Sequence, residues 1–288
     1  MQTMRQLQQA YNMLSAEGRT LISPNARTMR LDGLTYHQGK RTVIIDKPTL
    51  ESVGRVYAAR SVRRALSAKS IHAAPFADAL GMIDHHYQQD EPIWGVSGYA
   101  QGGFNYATEA SALRALYGYL ADTKRKPSLT VDGGVSEGNL GLNAVIAAMH
   151  EIPTLGCIPL EGLASISYRT FMVVWGNTYQ DREVLVGTIP DVLICIGGAE
   201  GTRRECETAI ENGSVVLMMA LREYGPNSLP ATYQDFPKLK KAFDKGQLIV
   251  CSSRDTLHSS VDRAWARGLD KSLRKERFGK LEALPSQV

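Results

Sequence analysis

The stretch "DVLICIGGAEGTRRECETAI", residues 191–210, decides the fold. An apolar run ends in a glycine pair, a third glycine and a threonine follow, and a helix-like segment leaves the turn. Glycines at such a turn let the backbone approach a ligand closely. The first N–H groups of the departing helix have no partner within it, so they attract an anion. Thr202 can cap that helix or give its hydroxyl to a phosphate. Glu205 lies three residues further on, which allows a plainer capping-box reading of the same two side chains.

Five more short apolar runs lie outward from this stretch: "PIWGVSG" (92–98), "SLTVDGG" (128–134), "TLGCIPL" (154–160), "SVVLMMA" (214–220) and "QLIVCSS" (247–253). Helix-like stretches alternate with them, as at 107–123, 139–150, 202–212 and 254–267. Short, fully apolar strands alternating with helices specify a parallel sheet covered on both faces. The expected fold is α/β, a doubly wound parallel sheet with helices on both faces, spanning residues 91–270. Residues 1–90 are expected to form a mixed α/β accessory region. It holds a leading helix, a small hairpin in "TMRLDGLTYHQGKRTVIID" (28–46) and a basic helix at 49–70 that includes Arg60, Arg63 and Arg64. Residues 271–288 read as a basic tail. Several runs end in glycine, and in an open α/β sheet ligands bind at that edge. A second glycine loop, "VDGGVSEGNLGLNAV" (131–145), also ends a strand and opens a helix. Two loops are therefore expected at one sheet edge.

Composition narrows the function classes. The chain is 43% hydrophobic and 22% charged over 288 residues, ordinary values for a globular protein. Its net charge of +4 suits an anionic small ligand. It lacks the basic bias and the aromatic–basic stripe of a dedicated nucleic-acid binder. Cys157, Cys195, Cys206 and Cys251 are widely spaced and show no zinc pattern, so they read as buried thiols in a reducing compartment. The opening "MQTMRQLQQAYNML" is polar, without the apolar core of a signal peptide. No apolar run approaches the roughly 20 residues that span a bilayer. A cytoplasmic protein without a membrane partner is expected.

The two loops resemble those of the LOG family (Lonely-guy-type phosphoribohydrolases, long labelled lysine decarboxylases) and of the wider SLOG superfamily, whose domain is Rossmann-like. The first family signature, a strand followed by GGG-x-x-G-x-M-G, is similar to "DGGVSEGNLG" (132–141). The second, PGGxGTxxE, is similar to "IGGAEGTRRE" (196–205). Arg182 stands where the family carries an arginine in the helix before the second signature. "GCIPLEGL" (156–163) and "IWGVSGYAQGG" (93–103) fall where the family has a strand ending in Ile-Pro and a first strand with a small-residue loop. The likeness covers residues 92–225. It departs from the pattern at Ile196, which replaces proline, and at one extra residue between the glycine pair and Gly201-Thr202. Glu183 replaces a lysine, Asp132 replaces a glycine, and Glu137 adds a further acid. An acidic group beside a phosphate is unfavourable, so the first loop is expected to meet ribose hydroxyls or a base.

The resemblance implies metal-independent hydrolysis of the N-glycosidic bond of a nucleoside 5′-monophosphate or related nucleotide, releasing free base and ribose 5-phosphate. Arg182 and Glu205 would be the catalytic pair. Glycosidic cleavage builds positive charge on the sugar, which a carboxylate stabilises while it orients a water. Ligand contacts are expected from Gly133, Gly134 and Gly138, from Gly197, Gly198, Gly201 and Thr202, and from Ser97 and Gly98. Tyr99, Phe104 and Tyr106 flank the loop from Ser97 to Gly103 and are placed to stack on a base or to pack in the core. No cofactor and no metal are expected. By resemblance alone, a homodimer or larger homo-oligomer is implied. The alternative function is non-catalytic binding or sensing of an ADP-ribose-like nucleotide, and the plainer reading of Arg182 and Glu205 is a salt bridge between helices. Arg203 and Arg204 oppose the helix dipole unless a bound anion or Glu200 offsets them. "MIDHHYQQDEP" (82–92) carries the Asp-His-His pattern of metal phosphoesterases without their other aspartate motifs, so Asp84, His85 and His86 read as a helix end or loop.

Overall fold

The computed structural model describes residues 42–45, 72–74, 76–99, 106–135, 138–159, 161, 169–220, 228–253 and 255–284. Every apolar run singled out above forms a strand. These are β3 (Ile93–Gly98), β4 (Leu129–Asp132), β5 (Thr154–Ile158), β7 (Val192–Ile196), β8 (Val215–Met219) and β9 (Leu248–Cys251). Three further strands join the same sheet: β1 (Thr42–Ile45), β2 (His72–Ala74) and β6 (Phe171–Val174). The order across the sheet is β2-β1-β6-β5-β4-β3-β7-β8-β9, and every pairing is parallel. This is the doubly wound, Rossmann-like α/β fold.

Helices cover both faces because each strand is apolar on both. In β7, Val192, Ile194 and Ile196 enter one core, while Leu193 and Cys195 enter the other. That is the two-residue alternation of a pleated strand. The first core takes its helical side chains from α2 (Tyr106–Asp122), α3 (Gly138–Met149) and α8 (Leu257–Gly268). The second takes them from α1 (Phe76–Tyr87), α4 (Tyr179–Thr188), α5 (Glu200–Glu211), α7 (Pro237–Asp244) and α9 (Lys271–Glu282). A short helix, α6 (Leu229–Thr232), precedes α7. Among the described residues, no helix is long and apolar enough to cross a membrane.

Three sequence expectations change. The segment read as a hairpin contributes β1, whose two neighbours, β2 and β6, are both parallel to it, so it extends the sheet instead of folding back on itself. The rest of that segment, the leading helix and the basic helix at 49–70 lie outside the described residues. Helix α5 starts at Glu200, two residues before the expected position. The segment read as a basic tail forms α9, which buries Arg274 and Arg277.

Asp191, at the foot of β7, explains that burial. Its carboxylate accepts the Ile93 N–H (2.7 Å) and Arg274 Nε (3.2 Å), and it also pairs with Arg277. Arg274 further donates to the carbonyls of Tyr87 (2.9 Å), Gln89 (2.6 Å) and Glu91 (3.0 Å). The two arginines dock α9 beneath the sheet, at the end opposite the glycine loops.

Candidate functional site

The strand order reverses between β3 and β7. From β3 the chain winds one way through β4, β5 and β6, and the other way through β7, β8 and β9. In such sheets the crevice at the carboxyl ends of the diverging strands is the ligand-binding position. Here Gly98 of β3 lies opposite Ile196 of β7, so the second glycine loop opens at that point, and the first opens from β4 on the other side of β3.

Asn139 joins the strand ends. Its amide donates to the Ile196 carbonyl (2.7 Å), and its backbone N–H donates to the Tyr99 carbonyl (2.9 Å). A Cβ on Gly98 would stand 2.2 Å from that amide nitrogen, so only glycine admits the link.

The first loop is braced from below. Asp132 was expected to face the ligand, but its side chain turns inward. Its oxygens accept from Arg169 Nε (2.8 and 3.0 Å), the Gly134 N–H (2.8 Å) and Asn143 Nδ2 (2.9 Å). Arg169, itself buried, also donates to the carbonyls of Val135 (3.1 Å) and Leu140 (2.7 Å). The negative charge expected beside the ligand is thus neutralised within the fold. Gly134 and Gly138 both have positive φ, and Glu137 lies outside the described residues.

In the second loop Gly198 has φ +90°, and a Cβ there would meet Thr202 Oγ1 at 2.2 Å. Ala199 is the N-cap of α5, so Glu200, Gly201 and Thr202 occupy the first helical turn, whose N–H groups lack intrahelical acceptors. The capping-box reading of Thr202 and Glu205 is not adopted, because Glu205 reaches elsewhere.

Its carboxylate lies under the loops, 5% exposed. Oε2 accepts a hydrogen bond from the Ser97 hydroxyl. Oε1 lies 3.7 Å from Arg182 Nη2, within ion-pair range but beyond a hydrogen bond. Arg182 instead donates Nη1 to the Gly133 carbonyl (2.7 Å). Its Nε is buried with no hydrogen-bond partner among the described residues, and its guanidinium lies 5.0 Å from the Tyr179 ring. Burial pushes the Glu205 carboxyl above the ordinary glutamate range. Arg182 and the Ser97 hydrogen bond pull it down, while the charges of Glu183 and Asp132 push it up.

A second pair joins the same two helices and is closed. Arg204 donates Nε (2.6 Å) and Nη2 (3.0 Å) to the two oxygens of Glu183. Arg204 also reaches Glu200 (3.2 Å), and Arg203 is held by Glu200 (2.6 and 2.9 Å) and Glu207 (2.6 Å). Arg203 and Arg204, just past the first turn, are therefore both paired with carboxylates.

Tyr99 follows β3, Tyr106 begins α2, and Phe104 lies outside the described residues. Asp84, His85 and His86 occupy the last turns of α1, and no cluster suited to a metal ion occurs among the described residues. All four cysteines are free and buried. Arg169, Asn139 and Asn143 were not found from the sequence. Each is a single polar residue in or beside an apolar stretch, and only the folded sheet brings their partners together.

Fold and site together define a Rossmann-like α/β protein with two glycine loops and an acid–arginine pair at the switch point. No protein-family model matches the chain, and no curated protein matches its sequence. Among solved structures, it is similar to the molybdenum cofactor carrier protein of Chlamydomonas reinhardtii, at 18% identity and TM-score 0.46, covering 61% of this chain and 99% of that one. It is also similar to the molybdenum cofactor binding protein of the phototrophic bacterium Rippkaea orientalis, at 20% identity and TM-score 0.47, covering 60% and 96%.

Proposed function

We propose that the chain hydrolyses the N-glycosidic bond of a nucleoside 5′-monophosphate or related nucleotide without a metal. The observation that carries this reading is the contrast between the two ion pairs joining α4 and α5. Glu183–Arg204 is closed and ties the helices together. Arg182–Glu205 is open at 3.7 Å, buried, and set at the switch point. A pair whose purpose was to tie helices would close as its neighbour does. In this reading the 5′-phosphate rests on Gly197, Gly198 and the first turn of α5, where N–H groups and the helix dipole favour an anion. Glu205 stabilises the positive charge that develops on the sugar and orients the attacking water. Arg182 holds the substrate against the first loop.

The second reading is binding of an ADP-ribose-like nucleotide without turnover, and the observation favouring it is the slight exposure of Glu205. Incubation with a panel of nucleoside monophosphates, NAD and ADP-ribose, followed by chromatography for free base, separates the two. The expected result is base release from a monophosphate, reduced at least about 100-fold in Glu205→Gln, since a positioned acid or base contributes about that much or more. Full activity in Glu205→Gln removes the hydrolase assignment. No cleavage, with a raised melting temperature for one ligand, establishes the binding reading.

A further inference from the structure

We propose that Ser97 is a positioning residue of this site: its hydroxyl fixes one edge of the Glu205 carboxylate, leaving the other edge to Arg182 and the sugar. The inference rests on Glu205 being the working carboxylate.

The pattern of β3 places the hydroxyl. Trp94 and Val96 enter the core beneath α2, α3 and α8. Gly95 and Ser97 alternate with them and face the α4–α5 layer, Gly95 lying so close to Leu193 and Pro190 that an added Cβ would stand 2.8 Å from each. Small residues on that face let α5 approach the strand, and Ser97 is the one among them that carries a donor. It is completely buried, and it is held in register opposite Cys195 of β7. A hydroxyl in such a place is costly without a partner. Its partner is Glu205 Oε2, contributed from 108 positions further along the chain.

Glutamate has three side-chain torsions and would otherwise swing. Serine has one, on a backbone locked inside a sheet. The hydrogen bond therefore transfers the rigidity of β3 to the carboxylate, which is the preorganisation that electrostatic catalysis needs. It also bears on charge. Facing Glu205 are Arg182 and Glu183 from α4, Asp132 from β4, Cys157 from β5, and its own neighbour Cys206. Glu183 and Asp132 are themselves paired, with Arg204 and Arg169. Against burial, the groups favouring the ionised carboxylate are Arg182 and Ser97.

The test is a carboxyl titration followed by 13C NMR of glutamate-labelled full-length protein, with Glu205→Gln assigning the resonance. In Ser97→Ala the Glu205 carboxyl is expected to titrate about one pKa unit or more higher, a roughly tenfold weaker acid. Ser97→Cys, which keeps a weaker donor in nearly the same volume, is expected to fall between them. Where a nucleoside monophosphate is turned over, the acidic limb of its kcat/KM profile moves up by the same amount, and kcat falls with KM little changed. An unchanged Glu205 titration in both folded variants overturns the proposal. If the wild type cleaves none of the nucleotides, the glycosidase reading falls, and the titration still decides the role of Ser97.

Discussion

Arg182 and Arg169 are two buried guanidiniums on either side of one loop, and their bonding separates their roles. Arg169 is used up. It spans both oxygens of Asp132, the Val135 carbonyl of the loop and the Leu140 carbonyl of α3, so it holds the first loop in shape and has no capacity aimed at a ligand. Arg182 makes one hydrogen bond to the same loop and keeps an open approach to Glu205. Replacing Arg169 by methionine leaves a buried carboxylate without its counter-charge, which costs about 3–5 kcal/mol. A loss of that size in the unfolding free energy, from urea denaturation read by circular dichroism, is the expected outcome, and a variant as stable as the wild type contradicts it. The family resemblance pointed to Arg182 and Glu205, each at a fixed offset from one of its glycine signatures. Sequence reasoning missed Arg169 because no local pattern surrounds it. It also misjudged Asp132, since the residue type shows a charge but not the direction in which the side chain turns.

Strand β7 works at both ends. At its foot Asp191 receives Arg274 and Arg277 of α9, and at its head Gly197 and Gly198 begin the second loop. The apolar run between them identified the strand, and the glycines identified its head. The foot was not legible. "DKSLRKERFGK" has the composition of a solvated tail, and the burial of its arginines against Asp191, with Phe278 packed on Tyr87, makes it part of the core. Arg274→Met is expected to lose about 3 kcal/mol or more, because it strips the Asp191 cluster of a partner and frees three backbone carbonyls beneath the sheet. Urea denaturation measures the loss. The conformation of the glycine loops is at the far end of the strand, so ligand-induced stabilisation is expected to survive in the folded fraction.

At the scale of the whole molecule, the alternation of apolar runs and helices was enough to give the sheet, its parallel sense and both helical layers. It did not single out β6, nor the places of β1 and β2 beyond it. Acid stability depends on a residue outside the site. Burial, with some repulsion from His85, holds His86 down at about 4, below its ordinary 6.5. Between those values the unfolded chain binds a proton that the folded chain refuses, so stability falls as pH drops from about 6.5 to 4. A melting-temperature series over that range should show the fall, and His86→Leu should flatten it. A last consequence concerns the Ser97–Glu205 contact, which joins positions 108 apart and crosses the switch point. No contiguous fragment can assemble the crevice before β3, β4 and β7 lie side by side. A ligand held there therefore has nothing to grip in a partly folded chain. Its binding energy is withheld from every intermediate in which these three strands are unpaired, so occupancy of the crevice reports that the centre of the sheet has formed.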